Sequence, residues 1–223
     1  MTETRAPFAD VRLFEDALPH EQFELLKDAI QEIGNERLEN NGTYATTFWF
    51  PRGERPTNLA EEAIVRLFSF ARPPQSCIGA EWWLGRLKYG KRLKFHFDRD
   101  LVLSREAGRS VLPLLGSVFY LNAYPSSPTV LLDQVPGPDG KSKVPPQPKM
   151  STSIAAIPNH YTVFPGNLLH GVVPDSNVME QEPASEELRL TLLVNFWDVR
   201  PSPPVCRDYD GSIYRPLMEK FAA

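Results

Sequence analysis

The sequence has little of what marks disulfide frameworks, membrane spans or nucleic-acid binding. Its two cysteines, Cys77 and Cys206, form no spacing motif, which excludes a disulfide framework and a cysteine-based zinc site and predicts a reducing compartment. The net charge of −4 lacks the basic excess of a general nucleic-acid binder. The N-terminus has no apolar signal segment, and prolines and Gly116 break the uncharged stretch 110–132. We therefore predict a soluble, cytoplasmic protein.

The composition predicts one folded domain that is rich in β-structure. With 42% hydrophobic residues over 223 positions, the chain can bury one sizeable core and does not have the composition of a disordered protein. Proline is abundant, at 22 residues, which is roughly twice ordinary usage. Because proline interrupts helices and central strands, this excess favours turns and short strands over a helical bundle.

The first third of the chain has two helical patterns. Apolar residues recur at three- and four-residue steps before Gly34, a natural helix end. A second run follows Asn58, a good N-cap with Glu61 as its capping-box partner, and Pro73 ends it. The polar segment 35–57 between the two helices is predicted to be a long loop.

From residue 78 onwards the hydrophobic period changes to that of strands. Segment 134–149, rich in proline and glycine, is predicted to be a long loop, either mobile or part of a substrate lid. About eight short strands after two helices suggest a β-sandwich or barrel with the helices packed on one face. The predicted strands are 80–89, 92–98, 114–123, 129–133, 150–156, 160–164, 168–173 and 187–198.

No repeat or domain boundary is visible, so we predict a single domain over residues 1–223. Its parts are a helical cover over about 1–75, a β core over about 78–200 and a C-terminal helix over about 212–222, with Pro216 in the first turn of that helix.

Two histidines and one acid have residue types that suit a metal site. His96 and Asp98 are two apart on a predicted strand, so both side chains can hold one ion from the same side, although such pairs are common by chance. His170 lies in an apolar, strand-like run where an imidazole needs a partner. Two histidines and a carboxylate are the ligand set of non-haem Fe(II) oxygenases. A surface strand carrying His96 and a core role for His170 are the alternatives, and His160 is the fallback ligand.

The strand that contains Arg189 is a further candidate for part of a binding site. One of its faces is entirely apolar, and the other carries Arg189, Thr191, Leu193 and Asn195. If that second face also points inward, the buried guanidinium needs an anion to offset several kcal/mol of desolvation. The anion could be a bound carboxylate, with Thr191 adding a hydroxyl, or an acid from 180–187 in a salt bridge at the barrel rim. The sequence pattern alone leaves both open.

Four segments in this order resemble the 2-oxoglutarate/Fe(II)-dependent dioxygenase superfamily and, within it, the prolyl 4-hydroxylase-like branch. The resemblance spans roughly residues 80–200. The Gly-Gly-x-Thr of the branch is replaced by Ser126-Ser127-Pro128-Thr129, close to where such enzymes receive substrate, so the substrate class is not carried over. The matching segments are Tyr89-Gly90 with Leu93, His96 and Asp98; Tyr120-Leu121-Asn122; Phe164 to Pro174 around His170; and Arg189.

The resemblance implies a mainly β fold with flanking helices: a double-stranded β-helix, or jelly-roll and cupin-like barrel, with the N-terminal helices packed on one sheet. It also implies that the chain binds Fe(II), 2-oxoglutarate and O2. The implied metal ligands are His96, Asp98 and His170, and the implied 2-oxoglutarate contacts are Arg189, Thr191, Tyr120 and Tyr89.

The substrate is less well defined by the sequence. Cations outnumber acids around the predicted metal strand, which indicates either attraction of an anionic substrate or a solvated sheet edge. Trp49, Arg52 and Arg99 are candidate substrate contacts, although such aromatic residues are more often core.

The leading functional hypothesis is a hydroxylase that consumes 2-oxoglutarate and acts on a small-molecule or peptidyl substrate, with no nucleic-acid or membrane partner. A cupin-like metal oxygenase that uses no 2-oxoglutarate and a non-catalytic β-barrel binding module are the alternatives.

Overall fold

The computed structural model describes residues 3–5, 10–34, 46–88, 90–174, 188–203 and 205–222. In these residues the helices are α1 (His20–Ile33), α2 (Leu59–Ala71), α3 (Leu101–Ala107) and α4 (Pro216–Glu219). The strands are β1 (Glu3–Arg5), β2 (Arg12–Phe14), β3 (Thr47–Pro51), β4 (Gly79–Lys88), β5 (Leu93–His96), β6 (Leu115–Tyr120), β7 (Tyr124–Leu132), β8 (Val135–Pro136), β9 (Lys143–Val144), β10 (Ser151–Ala156), β11 (Tyr161–Pro165), β12 (Leu169–Val172), β13 (Leu188–Trp197) and β14 (Cys206–Asp208).

The helix ends follow the local signals in the sequence. Gly34 ends α1 at a positive φ of 53°, a conformation that glycine adopts without a steric penalty. The Asn58 side chain accepts hydrogen bonds from the N–H groups of Ala60 and Glu61 at the start of α2, as its capping role predicts. The Glu61 carboxylate reaches back to Thr57 rather than to the cap residue itself.

Two sheets form most of the fold. The larger has the order β1-β2-β11-β6-β13-β4-β3-β14, and the smaller has the order β10-β7-β12-β5. All pairings in these two sheets are antiparallel except that of β3 with β14. The eight strands predicted from residue 78 onwards are all present, and a mainly β fold with flanking helices is confirmed.

The core has two layers, one on each side of the larger sheet. On the outer face of this sheet, Phe23 of α1 lies edge-on to Phe119 of β6, and Phe68 of α2 lies edge-on to Phe196 of β13. On the inner face, Val118 and Tyr120 of β6 pack with residues of the smaller sheet such as Leu131. Burial of one such large apolar side chain contributes about 1.5–3 kcal/mol. Side chains of the inner layer form the walls of the site described below.

Three structural predictions need correction. Residues 47–51, predicted to be loop, form β3, because the apolar run 48–50 pairs with β4 on one side and β14 on the other. The predicted helical cover over 1–75 also contributes β1, β2 and β3 to the larger sheet. The predicted loop 134–149 contains the short hairpin of β8 and β9. Residues 35–45 of the first predicted loop lie outside the described residues.

Cys77 and Cys206 are both buried and free, as expected from their spacing. None of the helices in the described part of the chain is long and apolar enough to cross a membrane.

Candidate active site

Three side chains predicted to bind metal lie together between the two sheets. The His96 Nε2 atom is 3.2 Å from Asp98 Oδ1, and the His170 Nε2 atom is 3.4 Å from Asp98 Oδ2. One ligand atom from each of the three residues lies within 4.8 Å of the others, which is a spacing that can hold one metal ion. The sequence prediction of this trio therefore agrees with the geometry.

The strand pairing explains how distant residues meet. His170 of β12 lies directly opposite His96 of β5, and the register shifts by one residue between His170 and Val172. Such bulges commonly redirect side chains next to active sites. The position after His170 is glycine because a Cβ at Gly171 would lie only 2.7 Å from the carbonyl oxygen of Leu93.

Backbone carbonyl groups orient both imidazoles. The Nδ1–H of His96 donates to the Lys94 carbonyl at 2.8 Å, and that of His170 donates to the Leu168 carbonyl at 3.0 Å. Since a carbonyl can only accept, Nδ1 carries a proton in each ring, and the Nδ1–H tautomer leaves Nε2, the nitrogen that faces Asp98, as the metal-binding atom once it is deprotonated. This tautomer is the one a metal requires from an Nε2 ligand, and outer hydrogen bonds of this kind usually fix it.

Asn195 orients the carboxylate. Its Nδ2 donates to Asp98 Oδ2 at 3.0 Å, from the same face of β13 that carries Arg189. The sequence pattern predicts Asn195 on this face and predicts no role for it. Its contact with Asp98 depends on how the two sheets are packed, which the period of one strand does not reveal.

Electrostatic interactions keep Asp98 ionised and favour a proton on His96, which a bound metal would displace. Burial alone would raise the pKa of Asp98, but the two facing imidazoles, His170 foremost, hold that pKa well below its usual range. Burial acts to lower the pKa of His96, and the neighbouring Asp98 more than offsets this, so the pKa of His96 is raised. A carboxylate that stays ionised beside two nitrogen donors suits a divalent cation.

Arg189 is a buried cation with an unusual set of partners. It is 5% exposed, and it donates from Nε to the Ser127 carbonyl at 3.0 Å and from an Nη to the Thr129 hydroxyl at 2.8 Å. Its guanidinium lies 5.5 Å from the ring centroid of Tyr120. Among the described residues no carboxylate forms an ion pair with it, and burial lowers its pKa. The predicted alternative partner, an acid from 180–187, lies outside the described residues.

The hydroxyl that contacts the guanidinium belongs to Thr129 of β7. Tyr120 donates its phenolic O–H to the same Thr129 oxygen at 3.0 Å. The hydroxyl of Thr191, predicted for this role, points to the Gly85 carbonyl at 3.4 Å. Thr129 is the last residue of the segment that replaces Gly-Gly-x-Thr, so the sequence did contain a signal for it.

The hydroxyl partner of Arg189 and His170 of the His96–Asp98–His170 cluster lie on neighbouring strands. Thr129 is two residues from Leu131, which pairs with His170 across β7 and β12. Two residues along a strand cover about 7 Å. Thr129, whose hydroxyl contacts the Arg189 guanidinium, therefore lies roughly 7 Å along β7 from Leu131, the residue opposite His170. A short dicarboxylate can therefore have one end at the metal cluster and the other at Arg189.

The other predicted site residues have more varied positions. Trp49 is buried in a small cluster with Trp197 and Cys206. Arg52 donates to the backbone carbonyls of Pro74 and Cys77. Arg99 lines a cleft beside His96. Tyr89 lies outside the described residues, and His160 does not belong to the metal cluster.

Glu81 is a buried acid near the cluster that the sequence analysis did not single out. It pairs in register with Asn195 and accepts hydrogen bonds from the Thr47 hydroxyl at 2.6 Å and the Trp197 indole at 3.1 Å. Burial raises the pKa of Glu81 to about 7, and the negative charge of Asp98 adds to this effect. The side chain therefore holds a proton in conditions where an exposed glutamate would be ionised.

This proton makes stability depend on pH. Because the folded protein binds it more tightly than the unfolded chain, the associated stability is complete below pH 4.5 and is lost as the pH rises to about 7. The loss is on the order of 3 kcal/mol. We expect Glu81→Gln to remove this part of the pH dependence when the free energy of unfolding is measured by denaturant titration at both ends of the range. Glu54→Gln, at an exposed position, is the matched control, and an equal pH dependence in parent and Glu81→Gln proteins would contradict the assignment.

Comparisons with known proteins locate the fold. No family model matches the sequence, and the search of curated proteins found no relative. Among solved structures, the chain is similar to AviO1 from Streptomyces viridochromogenes Tue57, with a TM-score of 0.50 and 16% identity over 86% of this chain and 91% of that one. This likeness shows a shared fold and, at such an identity, nothing finer.

Two further structures align over similar lengths. A Pseudomonas putida prolyl-4-hydroxylase has a TM-score of 0.48 and 15% identity, with 85% of this chain and 92% of that chain covered. SnoN, a non-haem α-ketoglutarate-dependent epimerase from nogalamycin biosynthesis, has a TM-score of 0.49 and 14% identity, with 85% and 79% covered.

Proposed function

We propose that the chain is a non-haem Fe(II)- and 2-oxoglutarate-dependent dioxygenase that hydroxylates an unactivated C–H bond of an amino acid, a peptidyl residue or a small metabolite. The observation that carries the proposal is a His–Asp–His cluster on strands next to a buried arginine that has no carboxylate partner among the described residues. Either feature alone fits many proteins. Together they supply the ligands of the metal and the counter-ion of its cosubstrate.

The side chains present fit Fe(II) and 2-oxoglutarate. His96, Asp98 and His170 would hold the metal, because their donor atoms converge and the backbone holds Nδ1 of each imidazole so that Nε2 faces the cluster. Arg189 and Thr129 would hold the far carboxylate of 2-oxoglutarate. Its binding would offset the several kcal/mol that it costs to bury an unpaired guanidinium.

Two tyrosines and Thr191 complete the proposed cosubstrate pocket. Tyr120 supports the Thr129 hydroxyl through its own O–H and lies under the guanidinium. Thr191 is on the same face of β13 as Arg189 and is itself buried. We assign Tyr89 to this pocket on the sequence resemblance alone.

When bound, the metal with 2-oxoglutarate and dioxygen supplies the oxidation, with release of succinate and CO2. The protein contributes binding, orientation and exclusion of water. Val118, Leu131 and Leu193 pack beside the anion site and keep bulk water from the guanidinium, so that its hydrogen bonds act in a low dielectric. Asn195 and the two backbone carbonyls hold the three ligands in one arrangement before metal binds.

The test is spectroscopic and enzymatic. Under argon, addition of Fe(II) and then 2-oxoglutarate to the protein should produce a weak visible charge-transfer band, and exposure to O2 should then release succinate. A metal oxygenase that uses no 2-oxoglutarate would show no band and no succinate. A binding module would show neither turnover nor a band at saturating ligand, and either result would contradict the proposal.

A further inference from the structure

A cleft of about 350 Å³ opens beside the metal cluster. His96 lines it together with Arg99, Leu101, Lys141 and Lys143. Arg189 and Thr129 are not among its lining residues, so the cleft is separate from the anion site proposed for 2-oxoglutarate. Its volume lies at the small end of the range of small-molecule pockets, which run from about 300 to 1,000 Å³.

The charged lining of the cleft is entirely cationic. Arg99, Lys141 and Lys143 contribute three positive charges, and none of the described residues that line the cleft is an acid. Within the described part of the chain, none of the three cations is in an ion pair. Three like charges around one small cleft repel each other unless an anion is bound between them.

Apart from Asp98, which faces the two histidines of the proposed metal site, the acids nearest in sequence are engaged by other groups. Asp100 accepts hydrogen bonds from the N–H groups of Leu103 and Ser202. Asp139 accepts from the backbone N–H groups of Lys141 and Ser142 and from the Ser142 hydroxyl, and these hydrogen bonds lower its pKa to about 2. Asp100 and Asp139 therefore accept hydrogen bonds from nearby N–H and hydroxyl groups. Neither carboxylate forms an ion pair with Arg99, Lys141 or Lys143.

The cleft also has an apolar side. Leu101 is 69% exposed and Phe95 is 39% exposed, which is unusual for large apolar residues, and both face the cleft. The Arg99 guanidinium connects two segments that line the cleft. It donates to the Gly140 carbonyl at 2.9 Å and lies 5.9 Å from the ring centroid of Phe97. Cationic and apolar groups thus line one cavity whose inner end is a metal ligand.

We propose that this cleft binds the substrate, and that the substrate is a small organic anion with a carboxylate or phosphate group next to an apolar segment. This inference rests on the proposed function and names the substrate class of the same site. The anionic group lies between Arg99 and the two lysines, and the apolar segment covers Leu101 and Phe95. The substrate then lies against His96, where oxidation would occur.

The test uses six-carbon probes that differ in the charge and chemistry of the polar group at one end. Hexanoate, hexyl phosphate, hexylamine and hexanol are titrated calorimetrically into protein that holds Fe(II) and 2-oxoglutarate under argon, so that Arg189 is occupied. We expect one or both anions to bind roughly 3- to 30-fold more tightly than the amine or the alcohol. Comparison of hexanoate with hexyl phosphate identifies which anionic group the cleft accepts. Equal binding of all four probes would overturn the proposal.

The charge of the two lysines should decide the preference. Lys141→Glu/Lys143→Glu is expected to reverse it in favour of hexylamine, whereas Lys149→Glu, at an exposed position on the same segment that does not line the cleft, should leave it unchanged. An unchanged preference in the double variant, or an equal reversal in the control, would overturn the proposal.

Failure of the cleft and failure of the cosubstrate assignment are distinguishable. Arg189→Gln should weaken the 2-oxoglutarate charge-transfer band and leave probe selectivity intact, and the double lysine variant should do the opposite. A normal band with unselective probes contradicts the substrate class alone. Selective probes without any band contradict the dioxygenase assignment alone.

Discussion

Asp98→Ala is expected to abolish succinate release and to weaken Fe(II) binding by more than about 100-fold. Loss of an outer hydrogen-bonding partner of a metal ligand typically costs about 10- to 100-fold in affinity, and Asp98 is proposed to be a ligand itself. Among the described residues of the cluster, Asp98 is the one carboxylate, so it alone would bring a negative charge to a bound cation. The measurements are the charge-transfer band at increasing Fe(II) and succinate released per enzyme.

A folded control separates this effect from general damage. Asp133→Asn removes a carboxylate elsewhere on the protein, where the Asp133 oxygen accepts a single hydrogen bond from the Lys149 N–H that an amide oxygen can also accept. The control should retain both readouts. Succinate release by Asp98→Ala at the parent rate would show that the metal ligands were wrongly assigned.

The cluster of His96, Asp98 and His170 could be predicted from the sequence because the signals of its members are local. His96 ends β5 and Asp98 lies two residues further on, just after the strand, so the signal of this pair is its short separation in sequence, and the apolar run around His170 marks β12. The antiparallel pairing that places His170 opposite His96 adds only the relative position of two strands. Helix ends at Gly34 and Asn58 were equally local, since each depends on one residue's backbone or side chain.

The supporting residues could not be predicted because they depend on contacts between strands far apart in the chain. Asn195 reaches Asp98 across 97 positions, and Thr129 reaches Arg189 across 60. Glu81 lies in β4, where most of the surrounding residues are apolar. Its position near the His96–Asp98–His170 cluster follows only from its pairing with Asn195. The short strand β3 was not predicted because it is defined by pairing with β4 and β14. Both of these strands are its neighbours in the sheet but are distant from it in the sequence.

One missed helix did have readable signals. Asp100 caps α3 by accepting from the Leu103 N–H, and Gly108 ends it with a positive φ of 63°. The segment has only two turns and buries no residue, so it lacks the apolar stripe by which the longer helices are recognised. The sequence of α3 therefore has the residues that start and end a helix, but it lacks the repeated apolar residues between them by which a helix is predicted.

Arg189→Gln is expected to raise the KM for 2-oxoglutarate by at least about 30-fold, with a much smaller effect on kcat at saturating cosubstrate. Removal of one partner of a buried, hydrogen-bonded charge pair costs about 2–5 kcal/mol. Arg189→Lys keeps the charge but not the planar fork, so its KM should lie between those of the parent and the glutamine variant. Initial rates of succinate release at varied 2-oxoglutarate measure both constants.

Thermal unfolding distinguishes the cosubstrate role of Arg189 from a structural one. If its partner is 2-oxoglutarate, the ligand-free Arg189→Gln protein should be no less stable than the parent, because an unpaired buried cation has been removed. The rise in Tm on addition of 2-oxoglutarate should be lost, since stabilisation by a ligand follows its affinity. If the partner is instead an acid from 180–187, the variant should lose about 3–5 kcal/mol of stability and keep the parent KM, because a buried carboxylate would then be left unpaired.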